Sequence, residues 1–188
     1  MNKVTDSQIR EIAKNNGVEY AALKAFIAVE TGGIGFNDKT GKIIIQFEPA
    51  WFKKKAPYAP SGNWSLNKVE RQAAEWIAFN EAFKLNANAA MEATSIGLGQ
   101  IMGFHYALLG YKTVGDMWDD SKRGEYQQVL QMVRFIRGIP ALYKALQVKN
   151  WHLVATYYNG SGYLDLAKKY KREPYNISLE KAYKKYAA

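Results

Sequence analysis

The sequence contains no cysteine and only two histidines among its 188 residues. The absence of cysteine excludes disulfide bonds, thiolate catalysis and thiolate metal sites. Because His105 and His152 are the only imidazoles, a histidine-rich metal site is not expected either. We therefore expect a function that needs neither a metal nor another cofactor, and we interpret both histidines as packing or surface groups rather than catalysts.

Long apolar runs are also missing. Residues 1–6 lack the apolar core of a signal peptide, and no apolar stretch approaches the roughly 20 residues that a transmembrane helix needs. We expect a soluble product of the cytoplasm, so any target beyond the membrane must be reached by another route.

Acidic residues are outnumbered, with 17 Asp and Glu against 26 Lys and Arg, a formal charge of +9. An excess of this kind favours an anionic polymer as partner, such as nucleic acid, an anionic cell wall or lipid headgroups, although it can also serve solubility alone. The basic residues are scattered and no nucleic-acid motif is present, so we do not expect nucleic acid as the partner.

The organisation of the chain predicts one domain over residues 1–188, mainly α with a minor β element. Thr5 to Gln8 has the spacing of a helix capping box, and the apolar residues 18–30 predict a buried helix that ends at Gly32 and Gly33. Residues 43–48 predict the one strand region, in a small hairpin, followed by an exposed loop over 53–64. Further helices are predicted at 67–83, 88–92, 98–109, 114–119, 123–137, 140–146, 151–158, 163–170 and 179–186.

Glu30 is the first candidate for chemistry. Phe26 and Ile27, four and three residues earlier, place its carboxyl on the apolar side of the predicted helix. Apolar surroundings and the negative end of the helix dipole both favour the protonated acid, which is the form that a general acid needs. The alternative is that Glu30 turns outward at a frayed helix end.

Two later segments have patterns suited to a ligand. Residues 97–103 place three glycines around Gln100, which favours a tight turn with close approach of a ligand, although a close helix contact would use glycines in the same way. Tyr158 and Asn159 combine an aromatic ring with an amide that could bind an N-acetyl group, directly before a helix stop at Gly160.

Together these segments resemble the lysozyme-like superfamily, which includes the lytic transglycosylases. The resemblance lies in Glu30, in Ser95 with Gly-Leu-Gly-Gln-Ile-Met-Gly at 97–103, and in Tyr-Asn-Gly at 158–160. The sequence is more closely similar to the phage N-acetylmuramidase family of endolysins, once a domain of unknown function, through residues 46–49, 99–104, 110–111 and 151. The similarity extends from about residue 20 to residue 186.

The resemblance implies a lysozyme-like fold of about eight or nine helices and a small β-hairpin, with two lobes around a glycan cleft. It implies cleavage of the β-1,4 bond between N-acetylmuramic acid and N-acetylglucosamine in peptidoglycan, with Glu30 as general acid. The substrate-binding residues would be Gln46, Ser95, Gln100, Tyr158 and Asn159. We expect a monomer without a separate wall-binding domain, held in the host cytoplasm until lysis, whose charge attracts it to the anionic envelope.

The second carboxylate is less clear from the sequence. Strand alternation puts Ile44, Gln46 and Glu48 on one face, opposite the apolar residues, so Glu48 is the first candidate. It could activate water, stabilise the oxocarbenium-like transition state, or pair with a basic side chain. Asp38 is the second candidate. With neither in place, the substrate's acetamido group would act and an anhydro sugar would be released, as in a lytic transglycosylase.

A rival interpretation is a module that binds glycan without cleaving it, through its basic surface and aromatic rings. For Trp51, Trp64 and Trp118 we expect positions in the core or at its rim rather than sugar platforms.

Overall fold

A computed structural model describes residues 3–66 and 71–188. Over those ranges the chain forms eleven α-helices and one three-stranded sheet, so the prediction of a mainly α fold with a minor β element is confirmed. The helices are α1 (Asp6–Asn15), α2 (Tyr20–Thr31), α3 (Pro49–Lys55), α4 (Gln72–Leu85), α5 (Ala87–Glu92), α6 (Val114–Lys122), α7 (Glu125–Gly138), α8 (Pro140–Gln147), α9 (Trp151–Tyr158), α10 (Tyr163–Lys169) and α11 (Tyr175–Ala187). The strands are β1 (Ile45–Phe47), β2 (Thr94–Ile96) and β3 (Ile101–Met102). The predicted helix start at Asn67 and Glu70 lies outside the described residues.

The first two helices follow their local sequence signals. Thr5 caps α1 through a capping box, in which the Thr5 hydroxyl accepts from the Gln8 N–H and the Gln8 side chain accepts from the Thr5 N–H. Helix α2 ends where Gly32 adopts a left-handed conformation with φ of +62°. Both predictions are confirmed because each signal is complete within a few residues.

Helix α2 is the central element of the fold. Leu23, Ala25 and Phe26 are fully buried, and α11 packs along α2 from the other end of the chain. The Tyr183 hydroxyl on α11 donates to Glu19, directly before α2, at 2.8 Å. This packing brings the start of α11 to the C-terminal end of α2, where Glu30 lies.

The sheet differs from the predicted hairpin. Strand β1 pairs with β2 in antiparallel register, Ile45 opposite Ile96, and β2 pairs in turn with β3. Residues 36–43 do form a narrow hairpin, closed by a single bridge between Phe36 and Ile43. The prediction of a single strand region was wrong, because β2 and β3 are too short to show an alternating pattern.

The predicted helix over 98–109 was also wrong. Gly97 and Gln100 have positive φ values of +66° and +44°, which an α-helix does not allow. The segment instead forms a turn, then β3, then a short 3₁₀ helix, Gly103–His105. A side chain at Gly103 would meet the Met91 carbonyl oxygen at 2.0 Å, so this glycine permits close packing against α5.

The segment predicted as an exposed loop over 53–64 is exposed at most positions, but regular structure extends into both of its ends. Helix α3 has Pro49 in its first turn and continues to Lys55, and a short 3₁₀ helix, Asn63–Ser65, lies at the other end. Trp64 is only 3% exposed, and its indole N–H donates to the Pro60 carbonyl. Proline and lysine suggested a loop here, but the tertiary contact of Trp64 holds the segment against the core.

The outer edge of β1 is closed by side chains of α4. The Gln72 amide accepts from the Ile45 N–H at 3.0 Å and donates to the Ile45 carbonyl at 2.8 Å, and Glu75 accepts from the Phe47 N–H at 2.8 Å. Glu75 is therefore buried, whereas Ile77 on the same helix is 56% exposed. Gln72 and Glu75 thus bond to the backbone of β1 as a fourth strand would, and these bonds orient the polar side of α4 toward the sheet.

Helix α7 holds two loops in place, one at Gly35 and one at Leu98, through buried polar side chains. The buried Gln128 accepts from the Leu98 N–H at 2.9 Å and donates to the Ser121 carbonyl at 3.0 Å. Glu125 accepts from the N–H groups of Gly35 and Val4, at 3.1 and 2.9 Å. Buried side chains that satisfy loop amides in this way fix the backbone of both loops.

Candidate active site

Glu30 lies in the last turn of α2 as a half-buried side chain. The Tyr175 hydroxyl, from the first residue of α11, donates a hydrogen bond to Glu30 Oε1. Burial raises the pKa of Glu30 from 4.5 to about 7, and the bond from Tyr175 opposes that rise because it stabilises the carboxylate. The side chain is therefore a carboxyl group that stays protonated in a large fraction of molecules near neutral pH.

Two tyrosines surround this carboxyl group. The rings of Tyr158 and Tyr175 stack with centroids 6.4 Å apart, and Phe26 lies 4.5 Å from the Tyr158 ring on the α2 side. Burial, reinforced by the negative charge of Glu30, raises the pKa of both tyrosines well above their usual value of 10. Both hydroxyls therefore stay protonated and able to donate hydrogen bonds near neutral pH.

Sequence analysis missed Tyr175. The predicted last helix began at residue 179, whereas α11 begins at Tyr175, directly after Pro174. A proline beside the start of a helix is a recognised signal, and it could have moved the predicted start. Nothing local connects Tyr175 to Glu30, which lies 145 residues earlier.

The glycine-rich turn lies against Tyr158. The Tyr158 hydroxyl donates to the Gly99 carbonyl at 2.8 Å. Within the turn, Ser95 Oγ donates to Gln100 Oε1 at 2.9 Å, and Gln100 Nε2 donates to the Gly97 carbonyl at 2.8 Å. Gln100 is held in a strained left-handed conformation, which is found most often at functional sites.

Two further carboxyl groups, those of Glu48 and Glu75, lie next to this turn. Ser95 Oγ approaches the Gln46 carbonyl at 3.4 Å, and the Gln46 amide donates to Glu48 Oε1 at 2.8 Å. Burial raises the pKa of the half-buried Glu48, and the hydrogen bond from Gln46 opposes this rise. Burial also raises the pKa of Glu75 to about 7, with Glu48 as an additional cause, so these two carboxyls are electrostatically coupled.

The structure thus joins most of the predicted site residues in one network. Hydrogen bonds and ring contacts run from Glu30 through two tyrosines to the glycine-rich turn, and from there to the end of β1. In chain order, its members from the predicted set are Glu30, Gln46, Glu48, Ser95, Gln100 and Tyr158.

Comparison with known proteins now identifies the family. A family model described as Muramidase, N-acetylmuramidase, matches residues 19–187. The chain belongs to this family. A crystal structure of the Burkholderia AP3 phage endolysin is similar at a TM-score of 0.81 and 30% sequence identity, over 98% of this chain and 70% of that chain. A search of curated proteins finds no match.

Membership of the muramidase family confirms the resemblance seen in the sequence, including its lysozyme-like, mainly helical fold, and makes the chain a peptidoglycan-lytic enzyme. The eleven α-helices of the described residues exceed the expected eight or nine. Along 3–66 and 71–188, none of the helices has the length and apolar character needed to cross a bilayer. The same ranges contain no cluster of three or more acidic or histidine side chains that could hold a metal ion.

Other candidate residues of this muramidase lie outside the network. Asp38 forms an exposed ion pair with Lys3 at 3.3 Å. Asn159 caps the end of α9 as an exposed residue, next to Tyr158. His105 packs 4.9 Å from the Phe135 ring, where burial lowers its pKa.

The remaining histidine and two of the tryptophans have packing contacts. His152 Nδ1 lies 2.7 Å from the Tyr163 hydroxyl. Trp64 and Trp118 are core residues, as expected, but Trp51 is 39% exposed.

Proposed function

We propose that this muramidase hydrolyses the β-1,4 bond between N-acetylmuramic acid and N-acetylglucosamine, with Glu30 as the general acid. The observation that supports this proposal is the sheltered Glu30 carboxyl, whose pKa is about 7. A pKa near the working pH combines a substantial protonated fraction with a useful driving force for proton transfer.

In the proposed mechanism, Glu30 gives its proton to the glycosidic oxygen as the bond to the sugar C1 breaks. The Tyr175 hydroxyl donates to Oε1, so the proton to be transferred is carried by Oε2. When the proton has left, the same hydrogen bond stabilises the new carboxylate. Tyr175 thus favours the product state of the proton transfer, while burial keeps the acid protonated before it.

For substrate binding we propose Gln46, Ser95, Gln100, Tyr158 and Asn159. The exposed amide of Asn159 is available for an N-acetyl group. The hydrogen bond between Ser95 and Gln100 holds both side chains at the turn.

Glu48 is our candidate for the second carboxylate, which would activate water or stabilise the positive charge that develops at C1. Its connection to the turn through Gln46 supports this role.

A lytic transglycosylase is the second candidate function. The observation behind it is that the described contacts of Glu30 involve tyrosines, whereas Glu48 is coupled to Glu75. If no carboxylate acts opposite Glu30, the substrate's own acetamido group takes that role.

Loss of turbidity of outer-membrane-stripped bacteria tests the role of Glu30. We expect Glu30→Gln to lose nearly all activity because an amide cannot donate the proton. Glu11→Gln, an exposed glutamate of α1, is the matched control and should keep wild-type activity. Equal lysis by both variants would refute Glu30 as the acid, and the absence of lysis by the wild type would leave only the glycan-binding module.

Product analysis of digested peptidoglycan separates the two reactions. Hydrolysis leaves reducing muramic acid ends, and transglycosylation leaves 1,6-anhydro ends. We expect reducing ends, and a large loss of them in Glu48→Gln if Glu48 activates water. Exclusive formation of anhydro ends by the wild type would replace the hydrolase proposal with the transglycosylase.

We further propose that the chain acts as one catalytic domain and a monomer, which is made in the host cytoplasm and acts on the wall at lysis. The net charge of +9 supports attraction to an anionic envelope.

A further inference from the structure

Trp51 is an exposed tryptophan close to the proposed site. Its exposed fraction is 39%, against 3% for Trp64 and 2% for Trp118. Large aromatic rings bury favourable area and offer flat faces, so a ring left in solvent beside a polymer-binding site is suited to contact the polymer.

The position of Trp51 follows from two segments that carry site residues. Its N–H donates to the Glu48 carbonyl at 3.0 Å, so the residue lies one helical turn after Glu48. Its ring packs on Phe104, with centroids 4.8 Å apart and planes inclined at 41°. Phe104 follows β3, in which Met102 pairs with Ser95. The pair of rings is therefore adjacent to the second-carboxylate end of the site.

A series of ring contacts connects this pair to the packed interior and to Tyr158. Phe104 lies 4.4 Å from His105, His105 lies 4.9 Å from Phe135, and Phe135 lies 5.3 Å from Tyr158. Phe135 is buried, so these contacts belong to the packed interior, which keeps its geometry. The exposed Trp51 ring and the half-buried Phe104 ring are thereby held at a fixed position relative to Tyr158 and the acid beside it.

We propose that Trp51 and Phe104 form a platform on which a sugar ring of the glycan strand stacks, beyond the two sugars that flank the cleaved bond. This inference rests on the proposed function. In the free protein the Lys54 ammonium lies 4.5 Å from the Trp51 ring centroid. Because Lys54 is exposed and a cation–π contact at an exposed site is weak, a sugar can replace it.

Binding to insoluble peptidoglycan in the Glu30→Gln background tests the platform without any cleavage. We expect Trp51→Ala to weaken binding about five- to tenfold, which is typical for loss of one aromatic stack, and Trp51→Phe to retain most of it. Tyr58→Ala removes another exposed ring, 72% exposed in the segment after α3, and should bind as the parent does. Equal binding by the Trp51→Ala and Tyr58→Ala variants would overturn the platform.

Two further readouts separate stacking from a general loss of structure. In the active enzyme, Trp51→Ala should raise KM for long glycan strands about five- to tenfold and leave turnover of the shortest cleavable fragment unchanged. Addition of soluble glycan should alter tryptophan fluorescence in the wild type but not in Trp51→Phe, and the same change in both proteins would refute the assignment. A lytic Glu30→Gln enzyme would refute the proposed function, while the KM comparison of Trp51→Ala with the wild type would still judge the platform.

Discussion

Replacement of Glu30 by glutamine should make the protein more stable at alkaline pH while it removes activity. In the native protein the pKa of Glu30 is about 7, against an ordinary value of 4.5. The native state therefore binds the proton more tightly than the unfolded chain does. The wild type is free of any ionisation penalty below pH 4.5, and it loses stability as the pH rises from 4.5 through 7. Above that range the penalty is constant.

The size of the penalty follows from the shift in pKa. A pKa shift of about 2.5 units corresponds to at most about 3.5 kcal/mol, since each unit is worth about 1.4 kcal/mol. Glutamine carries no charge, and its amide oxygen can still accept the hydrogen bond from Tyr175. The substitution therefore removes the ionisation penalty with little other change to the site.

The assay is denaturant unfolding of wild type and Glu30→Gln at pH 4 and pH 8. The change in unfolding free energy between the two pH values is measured for each protein, and the two changes are then compared. The variant should gain about 3 kcal/mol relative to wild type on passing from pH 4 to pH 8, or a relative rise in Tm of about 6 to 12 °C for a chain of this size. The ionisation of Glu75 occurs in both proteins and cancels. A pH-independent difference would show that Glu30 is ionised without penalty, and it would refute the argument that burial holds its proton.

Three other predictions concern the ionisation of Glu30, its hydrogen bond from Tyr175 and the packing at Gly99. The rate kcat/KM should fall about tenfold per pH unit above roughly pH 7, as Glu30 loses its proton, measured as initial lysis rates from pH 5 to 9 at constant ionic strength. In Tyr175→Phe the carboxylate loses its donor, so the pKa of Glu30 should rise further and this alkaline limb should move to higher pH; an unmoved limb would show that the hydrogen bond has no influence. In Gly99→Ala the new methyl group would lie 2.3 Å from Met132 Cγ, and thermal melting should show a loss of about 1–3 kcal/mol, whereas Gly162→Ala, with open space at that position, should change little.

The features that could be predicted from the sequence are those whose cause is local. The capping box at Thr5 and the apolar run that ends at Gly32 gave the first two helices, because a helix and its caps are specified within a few residues. Glu30 was found as a candidate in the same way, from the spacing of the apolar residues before it. Strand alternation likewise gave the correct inward and outward faces around Gln46.

The features that were missed depend on contacts between distant segments. Gln72 and Glu75 close the edge of β1, and no pattern within α4 indicates that its polar side chains are the buried ones. The glycines around Gln100 predicted a tight turn, while the apolar spacing predicted a helix over 98–109; the φ of +44° at Gln100 agrees with the turn and excludes the helix. Tyr175 could not be connected with Glu30 before the packing of α11 on α2 was known.

The acidity of Glu30 is therefore a property of the closed fold rather than of its helix. The carboxyl is supplied by α2, but part of its shelter comes from Tyr175 at the start of α11 and from Tyr158 at the end of α9. If α11 separated from α2, water would reach the carboxyl and its pKa would return toward 4.5, so Glu30 would be ionised at neutral pH and unable to act as an acid. Packing of α11 on α2 thus gives Glu30 the raised pKa that its proposed role as general acid requires, and loss of that contact should abolish activity before the core around Phe26 unfolds.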